Sequence, residues 1–158
     1  MPHRAYIGLG SNLGNREANI GEAIRRMRLL AQTQVTRQST VLETKPVGGP
    51  PGQRDYLNAV VEMSTALEPA ELLHGLLAIE CSMGRDRSCE VRHGPRVLDL
   101  DILLFDQVTC DVPGLTLPHP RLAERMFVLI PLAELVPDLL HPVLKCPIRQ
   151  LLAQADAT

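Results

Sequence analysis

The run Val97-Leu98-Asp99-Leu100-Asp101-Ile102-Leu103, continuing to Phe105, decides how the rest of the chain is read. Successive side chains of a strand point to opposite faces, so a period of two sends Asp99 and Asp101 to one face and Leu98 and Leu100 to the other. Upstream, Tyr56 to Ser64 alternates in the same way. Tyr56, Asn58, Val60 and Glu62 share one face; Leu57, Ala59, Val61 and Met63 share the other. Arg4 to Leu9 is a compact apolar run beside Gly8 and Gly10, which suits a buried strand feeding a turn. Val35 to Thr44 is rich in Thr and Val and reads as a further strand, followed by a Pro/Gly loop over Lys45 to Arg54.

Between these runs the period changes. Ile20, Ala23, Ile24, Met27 and Leu30 recur at helical steps, with Arg16, Glu17, Glu22, Arg25 and Arg26 on the opposite side. A second helix is expected from Pro69 to Gly84: Pro suits the first turn, Leu72, Leu73, Leu76 and Ile79 form the apolar stripe, and Gly84 stops it. The order strand, helix, strand, strand, helix, strand predicts an α+β, ferredoxin-like βαββαβ fold with two helices covering one face of an antiparallel sheet. The other face and its loops are then left for function. Beyond Phe105, the prolines at 113, 118, 120 and 131 are expected to divide the chain into short helices and turns.

A length of 158 residues fits a single domain over 1–158. Hydrophobic residues make up 45% and charged residues 22%, which excludes a disordered or fibrous chain. The formal charge of −2 disfavours nonspecific nucleic-acid binding, so any positive site has to come from local clustering. Cys81, Cys89, Cys110 and Cys146 have neither a zinc spacing nor a secreted disulfide pattern and read as reduced thiols in a cytoplasm. No apolar run approaches the ~18 residues of a membrane span, and no targeting peptide is read.

On one strand face, Asp99 and Asp101 would stand with Cα atoms roughly 6 to 7 Å apart. Two such carboxylates repel and call for a cation or abundant water, so the pair fits a Mg²⁺ site and equally a solvated outer face. Arg85, Arg87, Arg92 and Arg96 lie just before the strand. Alone they read as a solvated loop. Beside an Asp-x-Asp strand they read as forks for phosphate oxygens, and the two elements together suit phosphoryl transfer. Gly8, Gly10 and Gly14 do not make a nucleotide loop, because Leu13 occupies the third glycine position and no G-K-[ST] follows; a turn capped by Ser11, Asn12 or Asn15 is expected. The chain has two Tyr, two Phe and no Trp, which makes Tyr56 beside the Pro/Gly loop a candidate stacking surface.

Arg92-His93-Gly94-Pro95-Arg96-Val97-Leu98-Asp99-Leu100-Asp101-Ile102-Leu103 resembles the signature of the 6-hydroxymethyl-7,8-dihydropterin pyrophosphokinase family of folate biosynthesis. Tyr6 to Asn12, Thr44 to Gly48, Tyr56-Leu57-Asn58, Gly84-Arg85-Asp86-Arg87 and Leu115-Thr116-Leu117-Pro118-His119 resemble family segments in the family's order. The resemblance implies a monomeric ferredoxin-like enzyme. It would take MgATP and then the pterin, and transfer the diphosphoryl group to the hydroxymethyl oxygen with release of AMP. It implies that Asp99 and Asp101 hold two Mg²⁺ ions and that Arg85 and Arg92 assist transfer. Glu80, Arg87, Arg92, Arg96, Ile102, Thr116, His119 and Arg125 would meet ATP, and Thr44, Val47, Gly48, Tyr56, Asn58 and Phe127 the pterin. His93, Pro120 and Lys45 stand where members often carry Trp, Tyr and Pro. The alternatives are a noncatalytic ferredoxin-like module that binds a small molecule, and a phosphotransferase acting on another heterocycle.

Overall fold

The runs of period two fold as strands, and those of helical period as helices, in a computed structural model that describes residues 2–46, 48–84 and 95–157. The elements are β1 (His3–Ser11), α1 (Arg16–Met27), β2 (Thr33–Gln38), β3 (Leu42–Thr44), β4 (Tyr56–Thr65), α2 (Pro69–Ser82), β5 (Asp99–Phe105), β6 (Cys110–Val112), β7 (Leu115–Leu117), a 3-10 turn (Leu122–Glu124), α3 (Met126–Leu135) and α4 (Ile148–Asp156). The main sheet is antiparallel with order β2-β4-β1-β5, and β3 also pairs with β4. Taking β2 and β3 together as one interrupted strand, this is the ferredoxin-like arrangement that the sequence predicts.

Three helix ends have a clear local cause. Asn15 caps α1, its Oδ1 accepting from the Ala18 amide at 3.1 Å. Pro69 opens α2, whose Glu68–Glu71 capping box ties the Glu68 amide to Glu71 Oε1 at 2.9 Å. Gly84, at φ 95, follows the helix end in a conformation that suits glycine. Ile20, Ala23 and Met27 of α1 and Leu72, Leu76 and Ile79 of α2 pack on Ile7 and Leu9 of β1, Leu57, Val61 and Met63 of β4, and Leu100, Ile102 and Phe105 of β5. This is the helix-covered face.

Four expectations need correction. The strand read from Val35 to Thr44 is interrupted at Ser39. Its hydroxyl accepts from the Val60 amide at 2.9 Å while its own amide donates to the Val60 carbonyl at 2.9 Å, and Thr40 turns away to bond the Glu134 carboxylate of α3. Side-chain hydroxyls compete here with the ladder. Pro131 does not break the chain but sits inside α3, where the burial of Val128, Leu129, Leu132 and Leu135 outweighs a helix-interior proline's cost of ~3 kcal/mol. The segment after Phe105, expected to hold only short helices and turns, also forms a hairpin of β6 and β7, with Pro113 in its turn as expected and Gly114 at φ 83 as a type II turn requires.

The second sheet face, finally, is only partly open. A register shift in the β1–β5 pairing, with Tyr6 opposite Leu104 and Ile7 opposite Ile102, brings both Leu103 and Leu104 to that face. There, with Tyr6 and Val60, they meet Leu129, Leu132, Ile148 and Leu151 of α3 and α4. The C-terminal helices therefore roof part of the face and leave the remainder open.

Candidate active site

Register builds the floor of the site. Gly8 of β1 lies between Val60 of β4 and Asp101 of β5, and Gly10 lies between Asn58 and Asp99. Since Ile7 and Leu9 face the helices, Gly8 and Gly10 face the open side and raise no side chain above it. A Cβ at Gly10 would meet Asn58 Oδ1 at 3.3 Å and Tyr56 Cδ1 at 3.4 Å; one at Gly8 would meet Leu103 Cδ2 at 3.4 Å. The result is a trough with the two carboxylates along one bank and Tyr56 and Asn58 along the other.

The trough opens into a cavity of about 530 Å³, within the usual range for small-molecule sites. Thr44, Gly48, Tyr56, Asn58 and Phe127 line it together with Arg96, Asp99, Asp101 and Arg125. Asn58 is buried and donates through Nδ2 to Thr44 Oγ1 at 2.6 Å, which fixes its amide plane between β3 and β4. Phe127 stands at the start of α3, with the Arg125 guanidinium 5.5 Å from its ring centroid. Burial and the neighbouring Arg121 lower the Arg125 pKa, while Asp101 and Asp99 act in the opposite direction. Arg96, Arg121 and Arg125 thus line the same cavity as the two strand carboxylates.

Other expected contacts lie elsewhere. Thr116 and His119 line a neighbouring hollow of about 540 Å³, and the segment from Pro118 to Arg125 borders both spaces. Thr116 Oγ1 donates to Asp111 Oδ1 at 3.0 Å. His119 Nδ1 accepts from the Arg121 amide at 3.2 Å, which leaves the proton of the neutral ring on Nε2. Removal from water and the nearby Arg125 push the His119 pKa down to about 4, with Asp99 opposing and Arg121 assisting, so the ring is neutral near pH 7. Ile102 turns its side chain into the helix-covered core, leaving only its backbone to meet a ligand. Glu80 is 1% exposed and accepts from the Leu100 amide at 2.7 Å; it braces β5 behind the carboxylates and does not line the cavity. Val47, Arg85, Arg87, Arg92 and His93 lie outside the described residues.

Sequence reasoning left out Gly8, Gly10, Arg121 and Glu124 as cavity residues, whereas Lys45 belongs to the Pro/Gly loop that it reads as a candidate for substrate contact. The glycines had a signal in their own period of two on a strand. Arg121 and Glu124 had none, because the path of the chain after Pro118 is not written in a periodicity.

Two carboxylates are a sparse metal set, and among the described residues no group of three or more His, Cys, Asp or Glu is gathered for a metal. The donor chemistry nevertheless fits Mg²⁺, which is held by one or two carboxylates and completed by phosphate oxygens and water.

The model of the family described as 7,8-dihydro-6-hydroxymethylpterin-pyrophosphokinase (HPPK) matches residues 6–137. A protein of Bacillus subtilis (strain 168) named 2-amino-4-hydroxy-6-hydroxymethyldihydropteridine pyrophosphokinase is 47% identical over 135 residues, 85% of this chain and 79% of the relative. One of the same name from Synechocystis sp. is 41% identical over 156 residues, 99% of this chain and 78% of the relative. Among solved structures, an HPPK-DHPS in complex with substrates superposes with a TM-score of 0.73 at 14% identity over 98% of this chain. The Plasmodium falciparum HPPK-DHPS with pteroate does so with a TM-score of 0.76 at 16% identity over 98% of this chain. This chain spans 43% and 42% of those two longer chains, and at such identity the likeness carries the fold alone.

Proposed function

The chain belongs to the 7,8-dihydro-6-hydroxymethylpterin-pyrophosphokinase family, and from that premise we propose how its open sheet face carries out the family's reaction. The enzyme transfers the diphosphoryl group of ATP to the hydroxymethyl oxygen of 6-hydroxymethyl-7,8-dihydropterin, giving the pterin diphosphate and AMP in folate biosynthesis. One observation carries the assignment of the site. Gly8 and Gly10 separate the Asp99/Asp101 bank from the Tyr56/Asn58 bank without obstructing the space between them.

In this reading the pterin ring lies between Tyr56 and Phe127, with Asn58, Thr44 and the Gly48 backbone at its polar edge. A flat heterocycle can approach the sheet because no side chain rises from Gly10. Its hydroxymethyl arm then points along the trough to the carboxylates. Asp99 and Asp101 are the residues that would hold two Mg²⁺ ions. Held by these carboxylates, Mg²⁺ would supply neutralisation of the triphosphate and would favour ionisation of the attacking hydroxyl. Arg96, Arg121 and Arg125 bring guanidinium charge to the phosphate oxygens, as by family resemblance do Arg85, Arg87 and Arg92. The nucleotide extends toward Thr116, neutral His119 and the Ile102 backbone, while α3 keeps water from the acceptor side. Residues 1–158 act as one pyrophosphokinase domain, a cytoplasmic monomer with ATP and the pterin as its ligands and neither nucleic acid nor membrane as a partner.

The test is product identity. Incubated with Mg²⁺, ATP and 6-hydroxymethyl-7,8-dihydropterin, the protein should form AMP and pterin diphosphate in equal amounts, with AMP absent when the pterin is omitted. ADP as the product, or AMP independent of the pterin, would contradict the proposal.

A further inference from the structure

Asn12 follows the last residue of β1 and is 1% exposed, yet it takes no part in the helix cap, which Asn15 supplies. Its amide is used instead on two loops. Nδ2 donates to Gln53 Oε1 at 3.2 Å and to the Arg54 carbonyl at 3.1 Å. Oδ1 accepts from the Arg96 amide at 2.8 Å, and the Asn12 backbone amide donates to the Arg96 carbonyl at 3.0 Å. Gln53 extends the connection, its Nε2 donating to the carbonyls of Gly48 at 3.3 Å and Pro50 at 3.2 Å. Gly48 and Arg96 both line the cavity, Gly48 on the acceptor side and Arg96 next to the carboxylate strand. One buried side chain thus joins the Pro/Gly loop to the segment that leads into Asp99.

Asparagine suits this place for chemical reasons. It offers two donors and an acceptor in one plane, whereas Asp lacks the donors and Ala would leave the Arg96 amide without its side-chain acceptor. A buried polar network of this kind fixes the relative position of the groups that it joins. We infer that Asn12, acting through Gln53 and Arg96, is a positioning residue that couples the pterin subsite to the phosphate subsite, so that occupation of one raises the affinity of the other. The inference rests on the functional reading above and extends it from the groups that touch substrate to one that does not.

The experiment measures binding of 6-hydroxymethyl-7,8-dihydropterin with and without saturating Mg²⁺ and α,β-methylene ATP, an analogue that cannot release AMP. Wild type, Asn12→Ala, Gln53→Ala and the double variant are compared, with thermal melting as a control. The wild type should show coupling on the order of tenfold, within the range usual for linked sites. In Asn12→Ala and in Gln53→Ala the pterin affinity should rise by less than about twofold on nucleotide binding, the double variant should lose no more, and the nucleotide affinity alone should change by less than about threefold. Gln53 lies in a half-buried loop position, so its variant carries the test if Asn12→Ala fails to fold. Wild-type coupling retained in Gln53→Ala, or in a folded Asn12→Ala, overturns this inference alone. A wild type that does not bind the pterin overturns the functional reading and the inference with it.

Discussion

At Gly10 one hydrogen occupies the position from which any other residue would project a carbon toward Asn58 and Tyr56. Its backbone is not in the left-handed region, so alanine fits the strand, but the added Cβ would stand 3.3 Å from Asn58 Oδ1 and 3.4 Å from Tyr56 Cδ1. Gly10→Ala should therefore fold, bind MgATP almost as the wild type does, and bind the pterin about tenfold more weakly, a change of ~1.4 kcal/mol. Equal losses for both ligands by calorimetry would show that the glycine serves the whole sheet and not the acceptor pocket. This residue also marks a limit of sequence reading. The period of two assigned Asp99, Asp101, Tyr56 and Asn58 to strand faces correctly, because alternation is a local property. That the two faces are the same face, with glycines between them, depends on the pairings Gly8–Asp101 and Gly10–Asn58, which no single strand encodes.

At the scale of an element, β4 carries a second buried polar group away from the cavity. Glu62 is 2% exposed and accepts from Tyr6 Oη at 2.9 Å, Thr36 Oγ1 at 2.8 Å and Arg37 Nη2 at 3.0 Å. Burial alone would raise its pKa, but the bonds from Arg37, Thr36 and Tyr6 prevail and bring it down to about 2. Tyr6, buried against this carboxylate, is raised. The sign follows from linkage. A carboxyl whose folded pKa lies below its ordinary value of 4.5 contributes stability above pH 4.5, and that contribution is lost as the pH falls from 4.5 to 2. The full shift corresponds to about 3 kcal/mol, which the half-exposed Arg37 reduces to roughly 2 kcal/mol. Glu62→Gln should accordingly cost roughly 2 kcal/mol at pH 7 by urea unfolding, with the gap from wild type narrowing as the pH falls below 4.5. A gap that stays constant from pH 7 to 3 would assign the loss to packing. The break between β2 and β3 belongs to this scale as well: the Thr- and Val-rich composition reads as one strand, while Ser39 and Thr40 bond to Val60 and Glu134, residues distant in sequence.

For the whole molecule, the cavity exists because the C-terminal third of the chain folds back over part of a sheet face. Two helices on one face were legible in the apolar stripes of α1 and α2, and the ferredoxin-like order followed from element type alone. The roof was not legible, since α3 is apolar at every position but Glu134 and contains Pro131, and so nearly apolar a run gives no distinct face to a periodicity. Its position decides the chemistry nonetheless. It brings Arg125 and Phe127 opposite the β5 carboxylates and closes a cavity where an open sheet face was expected. Glu80 supports the same strand from the helix side by accepting from the Leu100 amide. In the proposed mechanism Asp99 and Asp101 have no substitute for holding metal and phosphate together. The most direct measurement is pterin-dependent AMP formation by the Asp99→Asn, Asp101→Asn double variant at saturating MgATP, with circular dichroism to establish that it is folded. A fall of about a thousandfold, the equivalent of ~4 kcal/mol of transition-state stabilisation, is predicted. AMP formation within tenfold of the wild type would contradict the assignment of the metal to these two carboxylates.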